Sequence, residues 1–292
     1  MTPADSSLVT QANQVVESSY KLTLAEKRLI LVVLTKIDSH PDKPAARPET
    51  LIEIDASEVS AHLHLPQSEA YLMLKEAADR LAERWIIIDR PHPRKPKMKQ
   101  TKTRWVSAIS YIPDEGKVLL RLAEDVLPYL THLAGEFVRY SIDQVADMSS
   151  VYAIRFYELL LQWLGEGQRD VPLDWLREKF ALPDSYSNIR DLKRRVVDPA
   201  VEQINLHSNL EVSYVQRKRG RIVQSFLFTF GVKQEPKPAP AAKRSPRTNK
   251  KAETEARITA AAKPGETREQ VIDRLEQLRK LKDAVNAPAP KP

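Results

Sequence analysis

Cysteine is absent from the 292-residue chain, which excludes a disulfide framework, a thiolate zinc site, an iron–sulfur cluster and a cysteine nucleophile. An intracellular setting is the expectation for such a chain. Glycine is scarce: Gly116, Gly135, Gly165, Gly167, Gly220, Gly231 and Gly265 form neither G-x-x-x-x-G-K nor G-x-G-x-x-G, so the common phosphate-cradling loops are missing and no cofactor is expected. No apolar run approaches the roughly 20 residues of a membrane span, and the amino terminus has no charged-then-apolar signal layout. The expected protein is cytoplasmic and has no membrane partner. Hydrophobic residues, at 42%, suffice to fill a core in each of two ordinary domains.

The formal net charge is +7. All of it resides at the carboxy-terminal end, where residues 233–292 hold 15 Lys and Arg against 8 Asp and Glu, while residues 1–232 hold 31 of each. Within that neutral body two segments are basic. Residues 90–104 (RPHPRKPKMKQTKTR) contain seven cations and no acid, and residues 217–221 (RKRGR) contain four more. A single run of this kind is ordinarily a solvated loop. Two runs in matching places, each after the long helix of its half, point instead to a polyanion-binding face.

The halves share an order of elements. In the first, Thr23 opens a helix with Leu24, Arg28, Leu31, Leu34 and Ile37 along one side, widened by Leu29, Ile30, Val32 and Val33 into a core helix. Residues 51–54 read as a short strand. Asp55 with Glu58 marks a capping box for a short helix ending at His64, and Pro66 closes the turn. Ala70, Leu74, Ala77, Ala78 and Leu81 then repeat at helical spacing. Residues 85–88 read as a strand, 90–104 as a basic loop, and 105–111 with 117–122 as strands about a turn at Asp114, Glu115 and Gly116.

In the second half, residues 151–164 are the apolar helix, Val171 marks a short strand, 174–181 a short helix and 187–205 the long helix. Residues 210–216 and 222–230 are strands around the basic tip. Leu65-Pro66-Gln67-Ser68 and Leu182-Pro183-Asp184-Ser185 align at an offset of 117 residues. Agreement of order, turn and spacing implies an internal duplication. The predicted fold is α+β, two tandem winged helix-turn-helix domains at residues 1–130 and 131–232. A disordered basic tail follows over 233–292, with a possible helix at 267–285.

A helix-turn-helix places the amino-terminal part of its second helix near base edges, while the first helix and the wing hold the backbone. In the second copy Ile189, Leu192, Val196, Ala200 and Ile204 form the inward stripe. Arg190, Lys193 and Arg194 face out behind Ser187 and Asn188. An arginine there can make the bidentate guanine contact. Arg217, Lys218, Arg219 and Arg221 on the wing suit phosphates, which give affinity without sequence choice. Pro199 must either kink the long helix or start a new segment, because it lacks a backbone donor and crowds the preceding turn. The first copy offers Lys75 on its long helix among several acids, and Arg94, Lys95, Lys97, Lys99 and Lys102 in what is read as its wing, kept extended by Pro91, Pro93 and Pro96. Double-stranded DNA is therefore the expected partner, with the second copy supplying most of the sequence choice.

Catalytic signals are few. His62-Leu63-His64 has the spacing by which rolling-circle nicking enzymes hold a metal, but here the pair ends a helix, where residues two apart do not share a face. No H-E-x-x-H or G-x-S-x-G occurs. No catalytic or metal-binding residue is assigned, and the chain is expected not to be an enzyme. A metal-dependent nicking endonuclease is the competing enzyme reading, and a winged-helix transcriptional repressor the competing binding one.

Three segments carry a family resemblance: residues 13–34 (NQVVESSYKLTLAEKRLILVVL), 155–164 (RFYELLLQWL) and 175–205 (WLREKFALPDSYSNIRDLKRRVVDPAVEQIN). With them, residues 8 to 230 or so resemble the initiator replication proteins of iteron-containing, theta-replicating bacterial plasmids. The resemblance implies two winged-helix domains, the second making most of the specific contacts with repeated origin sites through Ser187, Asn188, Arg190, Lys193 and Arg194. It also implies monomers on iterons in equilibrium with homodimers that repress the protein's own gene, joined through the first domain. Opening of an AT-rich region and recruitment of the host replication initiator and replicative helicase belong to the same implication.

Overall fold

The computed structural model describes residues 7–40, 46–89, 97–112, 115–131, 133, 135–233, 261, 267, 269–275 and 277. Residues 1–233 form one compact unit and 234–292 another.

Near the amino terminus come β1 (Leu8–Ala12), α1 (Asn13–Val16) and β2 (Ser19–Tyr20). Thr23 then starts α2 (Leu24–Thr35). Its side chain accepts from the Glu26 N–H, and the Glu26 carboxylate accepts from the Thr23 N–H at 2.9 Å, a reciprocal capping box. Every side chain from Leu29 to Leu34 is buried, as befits a helix apolar all round. The predicted strand appears as β3 (Ile52–Asp55), and the second capping box forms as the sequence dictates. The Asp55 carboxylate accepts from the Ser57 N–H at 2.6 Å, and Glu58 from the Asp55 N–H at 3.1 Å, opening α3 (Ala56–Leu63). His64 ends α3 at φ 52, and Pro66 precedes α4 (Gln67–Leu81), whose five predicted apolar positions are all buried.

Next come β4 (Trp85–Ile88), β5 (Thr101–Arg104), β6 (Val106–Ile112) and β7 (Lys117–Leu122). β3 pairs with β7 and β7 with β6, giving the three-stranded sheet of a winged helix whose wing is the β6–β7 hairpin. Gly116, at φ +66, supplies the left-handed residue of its turn. This corrects the reading of residues 90–104 as the first wing. The described part of the basic run, residues 97–104, belongs to a separate hairpin, β4–β5, which joins β2 in its own sheet between α4 and the true wing. Residues 101–104 are a strand because Thr101 and Thr103 turn inward while Lys102 and Arg104 point out, a period of two hidden beneath the charge. The basic runs of the two halves are thus not equivalent in position.

In the second half, β8 (Phe137–Ser141) pairs antiparallel with β1, and α5 (Asp143–Ala146) leads to α6 (Val151–Leu161). β9 (Gln168–Pro172) and α7 (Leu173–Lys179) follow, the start of α7 lying 117 residues after that of α3. The long helix is not uniform. A 3-10 turn (Asp184–Tyr186) precedes α8 (Ile189–Leu192), a π turn (Lys193–Val197) and α9 (Asp198–His207). Pro199 lacks the N–H that would bond one turn back, and the wider π turn immediately before it accommodates the missing bond without ending the helix. β10 (Leu210–Arg219) and β11 (Ile222–Val232) form the wing, with β9 on the far side of β11. Strand extends through Arg219, so only Gly220, at φ +63, and Arg221 lie between β10 and β11.

Charged groups are buried where the halves join. The Lys27 ammonium of α2 lies 2.8 Å from the Glu158 carboxylate of α6, which also accepts from the Tyr140 hydroxyl at 2.6 Å. Arg155, buried in α6, donates to the Ser18 and Tyr20 carbonyls and has its guanidinium 3.9 Å from the Tyr20 ring centroid and 4.3 Å from that of Phe180.

In the second unit, residues 269–275 and 277 are helical, within the predicted 267–285 helix. Thr267, read as the start of that helix, precedes it without being helical, and Lys233, read as the first residue of the disordered tail, is instead fastened to the second winged helix, its N–H donating to the Asn209 carbonyl at 2.8 Å. Residues 268, 276 and 278–285 of the predicted helix and residues 234–260 of the predicted tail lie outside the described residues.

Candidate nucleic-acid interface

The turn between α7 and α8 is fixed before any DNA is considered. Arg177 of α7 donates to the Ser187 carbonyl at 2.8 Å, and the exposed Asn188 caps α8 by accepting from the Arg190 N–H at 2.8 Å. The sequence places Asn188 among the base-facing residues. Its Oδ1 is engaged in the cap, leaving its amide N–H groups to donate.

Of the predicted inward stripe, Leu192, Val196, Ala200 and Ile204 are buried and Ile189, at the leading end, is half-buried against the core; Val197 is buried beside them, and Ser187, Arg190, Arg194 and Arg195 are exposed. Arg190 has no carboxylate in ion-pair reach among the described residues. Arg194 donates to Asp191 at 2.8 Å, and the Arg195 Nε lies 3.9 Å from the same oxygen. Lys193 is half-buried, with its ammonium 5.6 Å from the Tyr214 ring centroid. The Tyr214 hydroxyl, on β10, donates to Asp198 of α9, and burial together with that carboxylate raises its pKa. Tyr214 therefore ties the wing to the helix.

Along the wing, Arg217 pairs with Asp170 of β9 at 3.1 Å, whereas Lys218, Arg219 and Arg221 are exposed and unpaired with any carboxylate among the described residues. A bulge between Arg217 and Lys218 re-aims the strand just before this cationic end.

In the first half the expected residues lie on two separate elements. Lys75 is exposed on α4, lining a small hollow with Tyr71, Leu74, Tyr111 and Gly116, on a helix whose Glu76 pairs with Arg80 and whose Asp79 accepts from the Tyr111 hydroxyl at 2.6 Å. Lys117 at the base of the first wing is neutralised by Glu53 at 3.0 Å and Glu115 at 2.7 Å. Lys97, Lys99 and Lys102 are exposed and belong to the β4–β5 hairpin, where Lys102 and Arg104 approach the exposed Trp85 ring at 4.9 and 4.4 Å from its centroid. Arg94 and Lys95, with Pro91, Pro93 and Pro96, lie outside the described residues.

Sequence reasoning passes over Arg195, Asp191, Asp170 and Tyr214. Arg195 is legible as the third cation of the Lys193-Arg194-Arg195 run. The role of Tyr214 is not, because an aromatic on an alternating strand reads as core. His62 sits in the last turn of α3 with its pKa lowered by burial, and His64 caps that helix 3.0 Å from Asp147. Among the described residues, no three His, Asp or Glu side chains are grouped to hold a metal, and no helix is long and apolar enough to cross a membrane.

Comparison with known proteins matches residues 8–161 to the family model described as Initiator Replication protein, WH1, and residues 172–230 to Initiator Rep protein, WH2. A replication initiation protein of Escherichia coli is 26% identical over 227 residues, covering 76% of this chain and 68% of the relative. An uncharacterized 27.6 kDa protein of Escherichia coli is 25% identical over 235 residues, covering 78% of this chain and 95% of the relative. Among solved structures, the Pi initiator protein in complex with iteron DNA aligns with a TM-score of 0.66 at 21% identity, covering 79% of this chain and 99% of that one. The chain thus matches both winged-helix family models and shares its fold with the Pi initiator protein.

Proposed function

The chain belongs to the initiator replication protein family, and from that premise we propose that it is a plasmid replication initiator that binds repeated origin sites, the iterons, in double-stranded DNA. The observation that carries this reading is the surface of the second winged helix. There Arg190, Arg194 and Arg195 on the helix and Lys218, Arg219 and Arg221 on the wing are exposed around a buried apolar stripe.

The division of labour follows from chemistry. Side chains at the leading end of α8 address base edges, and the wing cations address phosphates. The first winged helix contributes the dimer interface, with phosphate binding by the basic β4–β5 hairpin. Neighbouring copies on adjacent repeats use binding free energy to bend and open an AT-rich tract, and no covalent step is involved. The host replication initiator and replicative helicase are recruited to the opened site, and a homodimer represses the protein's own gene. The protein works without a cofactor, in the cytoplasm.

Footprinting the full-length protein over DNA flanking its own gene tests the proposal. Protection of directly repeated sites beside an AT-rich tract is expected. Protection of one inverted repeat alone would favour a repressor. Relaxed, tyrosine-linked product after incubating supercoiled origin DNA with protein and a divalent metal would overturn the reading in favour of a nicking enzyme.

A further inference from the structure

A surface that grips a polyanion gains nothing from a carboxylate unless the carboxylate does something else, and one stands among the cations of α8 and the π turn that continues it. Asp191 follows Arg190 directly, and its side chain is 34% exposed. It accepts from Arg194 Nη2 at 2.8 Å and lies 3.9 Å from Arg195 Nε, so one carboxylate holds two of the three exposed arginines of this segment. Three-apart and four-apart ion pairs are ordinary on exposed helices. This pair differs in its place, beside the base-reading end of the helix.

Two consequences follow for DNA. A guanidinium carries five N–H donors in a rigid fork, so a hydrogen bond from one end fixes the plane and leaves the others for an acceptor off the protein. The guanine O6 and N7 are uncharged and leave the Asp191–Arg194 pair intact. A phosphate approaching Arg194 or Arg195 instead must compete with the carboxylate and is repelled by it. Resting on the DNA-binding reading above, we propose that Asp191 sets specificity at this interface: it positions Arg194 for a base edge and penalises phosphates that meet the helix out of register. The wing holds a natural contrast. Asp170 pairs with Arg217 at 3.1 Å on a strand suited only to phosphate, so its removal relieves repulsion toward any sequence alike.

The test uses the full-length chain, a duplex containing one protected repeat, and a random duplex of equal length, with dissociation constants measured across a salt series. The wild type is expected to prefer the repeat. Asp191→Asn should tighten random DNA by about two- to fivefold, the scale of an exposed ion pair, and steepen its log–log salt slope by about 0.9 for each further phosphate neutralised. Binding to the repeat should not gain, so the preference falls. The lost discrimination should concentrate at the base position that Arg194→Ala also relaxes. Asp170→Asn should tighten both duplexes by the same factor and leave the preference unchanged. Asp191→Ser should reproduce the effect of Asp191→Asn, with thermal melting of both variants confirming the fold.

An unchanged preference in Asp191→Asn overturns the proposal. So does discrimination lost only at a cytosine that Arg194→Ala does not affect, since Asp191 would then read that base itself. A wild type that binds repeat and random DNA equally would instead sink the initiator reading on which this inference rests.

Discussion

Arg190 and Arg194 lie four positions apart on the exposed side of one helix but in different electrostatic company. Arg190 has no carboxylate in reach among the described residues, whereas Arg194 is held at 2.8 Å by Asp191. Arg190→Ala should therefore weaken repeat binding by about 1–3 kcal/mol with little effect on random DNA, read by competition titration. Equal losses on both duplexes would remove Arg190 from base reading. Replacing Lys218 and Arg219 with alanine should lower affinity for every sequence and make the salt slope shallower by about 0.9 for each phosphate no longer neutralised. At this scale the cations and the outward strip were legible, because charge and helical spacing are written in the chain. Their counter-charges were not. Nothing in the spacing of Asp170 and Arg217, 47 positions apart, announces that they meet across the intervening strand β11.

Elements were most legible where local chemistry fixes their ends. The Asp55 and Glu58 capping box and the Leu-Pro turns appear as read, since each depends on residues within four positions of one another. Asp55→Ala should cost about 1 kcal/mol through loss of the cap, measured by urea denaturation. Hydrogen bonding from Ser57 holds the Asp55 carboxyl below its usual pKa, so the stabilisation is present above the unfolded carboxylate range and is lost as pH falls through the folded value. Unfolding midpoints of wild type and Asp55→Ala should converge in acid. Several elements went unread, β1, β2 and β8 among them, and two others show why. β5 carries so much charge that its alternation of inward threonines and outward cations reads as loop. The π turn has no signature other than Pro199, which is equally compatible with a kink or a break.

At the scale of the molecule, the junction between halves was the least legible feature, because it buries side chains that sequence statistics place in water. Lys27 and Glu158 were charges on apolar helices with no sign that they pair across 131 positions. Glu158→Gln should destabilise the protein by about 3–5 kcal/mol, since it strands the Lys27 ammonium, while combined Lys27→Met, Glu158→Leu and Tyr140→Phe should restore most of the loss. Chemical denaturation of the wild type and both variants checks both statements. Burial opposes the Lys27 charge most strongly, but Glu158 and Tyr20 together outweigh it and raise the pKa, and burial with Glu158 raises that of Tyr140. Both folded values exceed the unfolded ones, so this stabilisation is complete below about pH 10 and is lost as pH rises through the folded values. Denaturation midpoints of the wild type should decline above that pH.

The β4–β5 hairpin has a consequence for variation among relatives. It is spliced between α4 and the first wing, whose positions are set by the buried face of α4 and by the pairing of β7 with β3. The stretch of sequence joining β4 to β5 can therefore change length or composition without re-registering either neighbour. Natural homologues should tolerate insertions and deletions here more readily than in the turn before α8, and a short peptide graft at the same place should leave the helix-turn-helix undisturbed.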